Sequence, residues 1–128
     1  MSKNQSVAPI SCSIKDFFNY WLVFTKPFHK LGNKEIKILS YLLYKRYELS
    51  KIINDDSLLD KYLFNNEIRE EVRLASNCSK PHFQLLLTKL RKAGVLLDNN
   101  ILNKRFIPDI TDDTRVFNIL YQFKIKND

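Results

Sequence analysis

The stretch SKPHFQLLLTKLRKAG, residues 79–94, decides the fold because it contains the start, the buried face and the end of one helix. Ser79 is a typical N-cap residue, and Pro81 costs little in the first turn because its missing N–H would have no partner there. Apolar residues recur at i, i+3, i+4 and i+7, which predicts an amphipathic helix. Gly94 then fits the left-handed position that ends many helices. The predicted buried face consists of Phe83, Leu86, Leu87 and Leu90.

The segments on either side of this helix are also regular. A shorter helix is predicted before it, with Asn65 as the N-cap. Its inward face would consist of Ile68, Val72 and Ala75. A tight turn at 77–78 joins the two helices, and two short apolar runs after Gly94 flank Asp98–Asn99–Asn100, which is a typical hairpin signal.

The first half of the chain is predicted to be helical. Ser13 can cap an aromatic helix, and Asn33 can cap a long one. A short helix should begin at Asp55 or Asp56. The aromatic residues expected to dock on the core are Phe17, Tyr20, Trp21 and Phe24, and the apolar stripe of the long helix is Ile36, Leu39, Leu43 and Tyr47.

The two ends of the chain have different characters. Residues 1–12 are polar and irregular, which predicts an arm outside the folded domain. Residues 115–125 alternate between apolar and polar side chains, so a half-buried C-terminal strand is expected there. The residues on its apolar face would be Phe117, Ile119, Tyr121, Phe123 and Ile125.

Composition limits the class of protein. The 128 residues are 45% hydrophobic and 27% charged, which is typical of one folded domain spanning residues 13–128. The N-terminus lacks the apolar region of a signal peptide, and no apolar run reaches the length of a membrane span. Cys12 and Cys78 have no paired spacing, so they are expected to be reduced thiols. A cytoplasmic protein without a membrane partner is predicted.

Positive charge is concentrated around the decisive helix. The chain has a formal net charge of +7, which favours an anionic partner. Residues 80–105 contain six basic residues and one acidic residue, whereas residues 55–71 contain six acidic residues and two basic ones. Such segregation suits a surface that binds phosphates, although a solvated helix with a cation-rich last turn would show a similar pattern.

The order of parts resembles the winged helix-turn-helix family of DNA-binding domains, found in many small bacterial and phage proteins. The resemblance covers residues 33–108 and rests on NEIREEVRLASNCSKPHFQLLLTKLRKAGVLLDNNILNKRF, residues 66–106. It implies a mainly α fold with a small β wing, the helix-turn-helix at about 66–93 and the wing at about 95–107. The aromatic N-terminal helix and the C-terminal strand would be additions to that fold. The resemblance also implies a homodimer formed through residues 13–24 and 115–125.

The function implied by the resemblance and the charge is non-enzymatic binding of double-stranded DNA, by a transcriptional regulator or a replication or packaging accessory. Residues expected in the major groove are Ser79, Lys80, His82, Gln84, Thr88, Lys89 and Lys92. Residues expected to contact the backbone from the wing are Asn99, Asn100, Lys104 and Arg105. Neither histidine lies at metal-ligand spacing, and no nucleophile–base pair is evident, so neither a metal, a cofactor nor an enzymatic activity is expected.

A second hypothesis belongs to a different class. The ridge of the decisive helix that points away from its buried face begins with Pro81 and Leu85, which cannot read base edges by hydrogen bonding. These two residues, together with Phe17 and Trp21 of the aromatic helix, are candidates for protein contact. The chain would then be a docking module in a larger assembly such as a phage virion.

Overall fold

Six α-helices, two short 3-10 helices at Asp98–Asn100 and Lys104–Phe106, and one two-stranded antiparallel hairpin form the regular part of residues 7–127, which this computed structural model describes. Residues 1–6 of the predicted polar arm, and residue 128, lie outside the described residues. The helices are α1 Ile14–Phe24, α2 Lys26–His29, α3 Asn33–Ser50, α4 Asp56–Leu63, α5 Asn66–Ala75 and α6 Lys80–Lys92. Strands β1 Leu96–Leu97 and β2 Ile101–Leu102 pair in the register Leu96↔Leu102 and Leu97↔Ile101. Within residues 7–127, no helix is long and apolar enough to cross a membrane.

Polar side chains begin four of the helices by accepting backbone hydrogen bonds in the first turn. The Ser13 hydroxyl accepts from the Asp16 amide at 3.1 Å, and the Asn65 side chain accepts from Ile68 N–H at 2.8 Å. Asp55 and Ser79 cap α4 and α6 in the same way. These four predicted starts are confirmed. The start of α3 is shifted by one residue, because Gly32 is the N-cap and Asn33 is the first helical residue.

Helix α3 is the centre of the fold. Helices α1, α4, α5 and α6 all pack against it, and β1 packs against α6. Ile38, Leu39 and Leu42 of α3 have no exposed surface, so this helix is surrounded along much of its length. The predicted buried face of α6 is confirmed in full: Phe83, Leu86, Leu87 and Leu90 all belong to the core.

The predicted inward face is displaced by one residue in α1, and in α5 only its last position differs, because Ile68 and Val72 are buried as predicted. In α1 the buried residues are Phe18 and Leu22, whereas Phe17 and Trp21 are only half-buried and Tyr20 and Phe24 are exposed. At the end of α5 the buried residue is Ser76 and not Ala75, which is exposed. The helical spacing was predicted correctly in both helices. Which side chains of that spacing are buried depends on which neighbouring helix supplies the contact.

The predicted C-terminal strand over residues 115–125 is not formed. In the described part of this segment no residue is in a strand or a helix, and only Phe117 is half-buried. The Phe117 ring lies edge-on to Phe17 at 5.1 Å and to Trp21 at 5.7 Å, so one side chain attaches the segment to α1. An alternating segment becomes a strand only when a second strand satisfies its backbone groups, and the chain pairs β1 with β2 alone in residues 7–127.

Candidate nucleic-acid interface

The solvent-facing side of α6 has polar side chains around the Pro81–Leu85 ridge, which lies opposite the buried face. Lys80, Gln84, Lys89 and Lys92 are exposed on this surface, and His82 and Thr88 are half-buried beside it. Two hydroxyl groups of the predicted site are already engaged within the helix. The Ser79 hydroxyl accepts from the His82 amide at 3.3 Å, and the Thr88 hydroxyl donates to the Gln84 carbonyl at 3.1 Å. The side chains with unused donors on this surface are therefore the lysines, Gln84 and His82, since only the backbone N–H of His82 is engaged by Ser79.

The hairpin is fixed to the C-terminal end of α6 by backbone and side-chain hydrogen bonds. Gly94 ends the helix with a φ of 75°, which only glycine adopts without strain. The Val95 amide then donates to the Leu90 carbonyl at 3.1 Å, and the Asn103 side chain donates to the Gly94 carbonyl at 2.9 Å. Because these contacts join both strands to the helix end, the hairpin has a defined position relative to α6.

The tip of the hairpin is linked to α6 by one further contact. Arg91 donates from Nη2 to the Asn100 side-chain oxygen at 2.6 Å. Asn99 and Asn100 have φ values of 67° and 59°, and asparagine tolerates this left-handed conformation better than most residues. The structure therefore brings the two predicted wing asparagines close to the last turn of α6.

Ion pairs neutralise part of the predicted positive surface. Lys89 Nζ lies 3.9 Å from a carboxylate oxygen of Glu35, and Lys104 Nζ lies 3.3 Å from one of Asp56. Among the ion pairs of residues 7–127, none involves Lys80, Lys92 or Arg105. Among the predicted DNA-binding cations, these three are therefore the ones whose charge is not offset by an ion pair within residues 7–127.

Lys104 lies in a different environment from the α6 residues. It lines a groove of about 510 Å³ together with Arg46 and Tyr47 of α3 and Asp112 of the C-terminal segment, and no α6 residue lines this groove. The structure therefore groups Lys80, Gln84, Lys92, Asn99 and Asn100 around α6 and the hairpin tip, whereas Lys104 lies beside α3 and α4.

Two arginines of α5 extend the α6 surface and were not predicted from the sequence. Arg69 and Arg73 line a shallow pocket of about 300 Å³ with Lys80 and Gln84. Arg73 also binds Glu70, and the hydrogen bond from Arg73 holds the pKa of that carboxyl below its ordinary value. The i, i+4 spacing of the two arginines would have placed them on one face, but the acidic residues around them hide this signal in the local charge.

The candidates for protein contact have two different environments. Leu85 is 53% exposed and Pro81 is also exposed, so the apolar ridge of α6 faces solvent as predicted. Phe17 and Trp21, by contrast, contact the chain itself through Phe117, and the Trp21 indole N–H donates to the Phe106 carbonyl at 2.8 Å. Within residues 7–127, no cluster of three or more His, Cys, Asp or Glu residues is arranged to hold a metal ion.

Comparisons with known proteins give no family for this chain. No protein-family model matches it, and no curated protein and no solved structure shows a significant match. Function is therefore inferred from the exposed side chains of α6, their charges and the fixed position of the hairpin.

Proposed function

We propose that this chain is a non-enzymatic double-stranded DNA-binding protein with a winged helix-turn-helix architecture. In this proposal α5 and α6 are the helix-turn-helix, α6 lies in the major groove, and the β1–β2 hairpin is the wing. The order of helix, turn, helix, glycine end and hairpin supports the assignment. Transcriptional regulation and an accessory role in replication or packaging are the two cellular roles that fit such a protein.

The observation that carries the proposal is the position of the two unpaired lysines on α6. Lys80 and Lys92 are separated by twelve residues, or about 18 Å along the helix axis. The major groove of B-DNA is about 12 Å wide and is bordered by phosphates on both sides. Two cations at opposite ends of α6 can therefore reach both phosphate backbones while the solvent-exposed residues between them face the bases.

The remaining residues have roles that follow from their positions. His82 and Gln84 lie between the two lysines and offer hydrogen bonds to base edges, whereas Asn99, Asn100 and Arg105 contact the backbone from the wing. Lys89 and Lys104 join the interface after leaving Glu35 and Asp56. The Lys104–Asp56 pair is exposed, and exposed pairs contribute little stability, so a phosphate can replace Asp56 at small cost. The Glu35 side chain is only 14% exposed, so Lys89 leaves its carboxylate at a greater cost.

The proposal is tested by charge reversal with a matched control. Lys80→Glu/Lys92→Glu changes the charge of the α6 surface, and Lys37→Glu/Lys61→Glu makes the same change at exposed lysines of α3 and α4. Binding of a random-sequence duplex is measured by fluorescence anisotropy at several salt concentrations. The α6 pair should weaken binding at least about tenfold and reduce the slope of log K against log salt by about two, because each phosphate contact contributes about 0.9. Equal effects of both pairs, or no salt-dependent binding by the original chain, would refute the proposal.

A second candidate function is supported by the exposed Leu85. This side chain and Pro81 lie at the centre of the solvent-facing ridge of α6, where a protein partner could bury them. The chain would then be a docking module in a larger assembly such as a virion. Under this function Leu85→Asp should abolish docking, and docking of the original chain should be insensitive to salt, whereas duplex binding should weaken steeply as salt rises, so the two functions are distinguishable.

A further inference from the structure

The C-terminal tail, residues 115–127, exposes apolar side chains that the rest of the described chain does not cover. Leu120 is 84% exposed, Phe123 is 84% exposed and Ile125 is 89% exposed. Only Phe117 of this tail contacts aromatic residues of α1. An exposed segment of alternating apolar and polar side chains without a partner strand is a typical surface for pairing with another chain.

The tail is approximately palindromic in residue type about Leu120. The sequence FNILYQF, residues 117–123, has phenylalanine at both ends, an amide residue next to each, and an apolar or aromatic residue on each side of the central leucine. When two identical segments run antiparallel with Leu120 facing Leu120, each residue faces its counterpart. The resulting pairs are Phe117 with Phe123, Asn118 with Gln122, and Ile119 with Tyr121.

These cross-strand pairs are favourable ones. Aromatic pairs and pairs of aromatic with β-branched residues stabilise antiparallel strands, and two side-chain amides can hydrogen-bond to each other. The same register keeps positive charges apart. It places Arg115 opposite Ile125 and Lys124 opposite Val116, so no two cations of the tail face each other directly. A partner of different sequence would not require this mirrored order, which is why the residue order specifies a second copy of the chain.

We infer that two copies of this chain form a homodimer by pairing their tails as antiparallel strands centred on Leu120. An isolated two-stranded ribbon is only marginally stable in water, so it needs a surface on which its apolar face can rest. Phe117 supplies that attachment in each copy through its contacts with Phe17 and Trp21. The inference does not depend on the proposed DNA binding.

A cysteine placed on the symmetry axis tests the register. The native thiols, Cys12 and Cys78, are both free and are first replaced by serine. In that background Leu120→Cys should form a disulfide-linked dimer of twice the 15.2 kDa chain mass on mild oxidation. Residues that face each other in antiparallel strands have Cα atoms about 4.5–5.5 Å apart, which is within the range of disulfides.

Matched cysteines at off-axis positions control for random collision. Asn118→Cys and Gln122→Cys should each cross-link poorly alone, because neither faces its own copy, and should cross-link efficiently when the two proteins are mixed. Equal cross-linking of Asn118→Cys and Leu120→Cys would overturn the inferred register. Cross-linking by none of the three proteins or their mixture would overturn the pairing itself.

Sedimentation equilibrium of the full chain tests the dimer without cysteines. The original protein should change from monomer to dimer with rising concentration, and Leu120→Lys should remain monomeric because it places two cations on the axis. Ile52→Lys is the control, since Ile52 is 77% exposed outside the tail, and this variant should still form dimers. An original chain that remains monomeric at every concentration would overturn the inference, as would loss of dimer by both variants.

Discussion

Helix α6 and the C-terminal tail both have regularly spaced apolar side chains, but they differ in what those side chains contact. Helix α6 buries Phe83, Leu86, Leu87 and Leu90, whereas no residue of the tail over 115–127 is fully buried. A helix satisfies its backbone hydrogen bonds internally and needs only a core to pack against. A strand must first pair with another strand to satisfy its backbone hydrogen bonds. The same degree of sequence regularity therefore leads to regular structure in one region and not in the other.

The boundary between the two regions lies near Phe106. Its carbonyl accepts the Trp21 indole N–H at 2.8 Å, and its ring lies 6.2 Å from the buried His29 ring. Beyond this point the chain is held by fewer contacts, including the Tyr47 hydroxyl, which donates to Asp112 at 2.8 Å. The free energy of local opening should accordingly be high up to Phe106 and decrease along the residues that follow it.

The largest expected effect comes from truncating one aliphatic side chain in each region. Leu87 has no exposed surface, so Leu87→Ala should lower the free energy of unfolding by about 3 kcal/mol through lost burial and a residual cavity. Ile125 is 89% exposed, and Ile125→Ala should change it by less than about 0.5 kcal/mol. Urea unfolding of dilute protein measures both values. Similar losses for the two variants would show that the tail belongs to the cooperative core.

The properties of α6 could be predicted because they are local. Its cap, buried face and glycine end all lie within residues 79–94. The orientation of α1 could not be predicted, because Trp21 is held by Phe106, which is 85 residues away in sequence. The net charge of the candidate site could not be predicted either, because it also depends on a contact between residues that are distant in sequence. Lys104 is paired with Asp56 across 48 residues, and no pattern in the sequence reports that contact.

A smaller effect is expected from His29, which lies beside the boundary. Its Nδ1 accepts the Leu31 amide at 3.0 Å, and its Nε2 donates to the Leu22 carbonyl at 2.7 Å, so the buried ring is neutral. Burial lowers the pKa of His29 from its ordinary value of 6.5, the Leu22 carbonyl partly opposes this, and the charge of Lys26 lowers it further. The folded chain therefore binds this proton less readily than the unfolded chain.

The stability of the protein should consequently decrease as the pH falls below about 6.5, towards the lowered pKa of the folded state. One proton contributes at most about 1.4 kcal/mol per pH unit to this slope. Urea unfolding at pH 7.5 and at pH 5 measures this change in the free energy of unfolding. His29→Gln should reduce the pH dependence, whereas His82→Gln should retain it. An unchanged slope in His29→Gln would assign the pH dependence to other groups.

The smallest expected effect is a local one, on the rate of proteolysis just before the C-terminal tail. Hydrogen bonding from the Tyr47 hydroxyl, and then from Lys51, holds the pKa of Asp112 below its ordinary range, so this contact persists at neutral pH. Tyr47→Phe removes the hydroxyl and should accelerate proteolysis after residue 110 severalfold while the midpoint of global unfolding stays unchanged. Tyr41→Phe removes a hydroxyl from the same helix without touching Asp112 and should leave the cleavage rate as it was. If Tyr47→Phe is cleaved no faster than the original chain, the Tyr47 hydroxyl does not hold the segment, and the Lys51–Asp112 ion pair or the contact of Phe117 with α1 is then what limits its release.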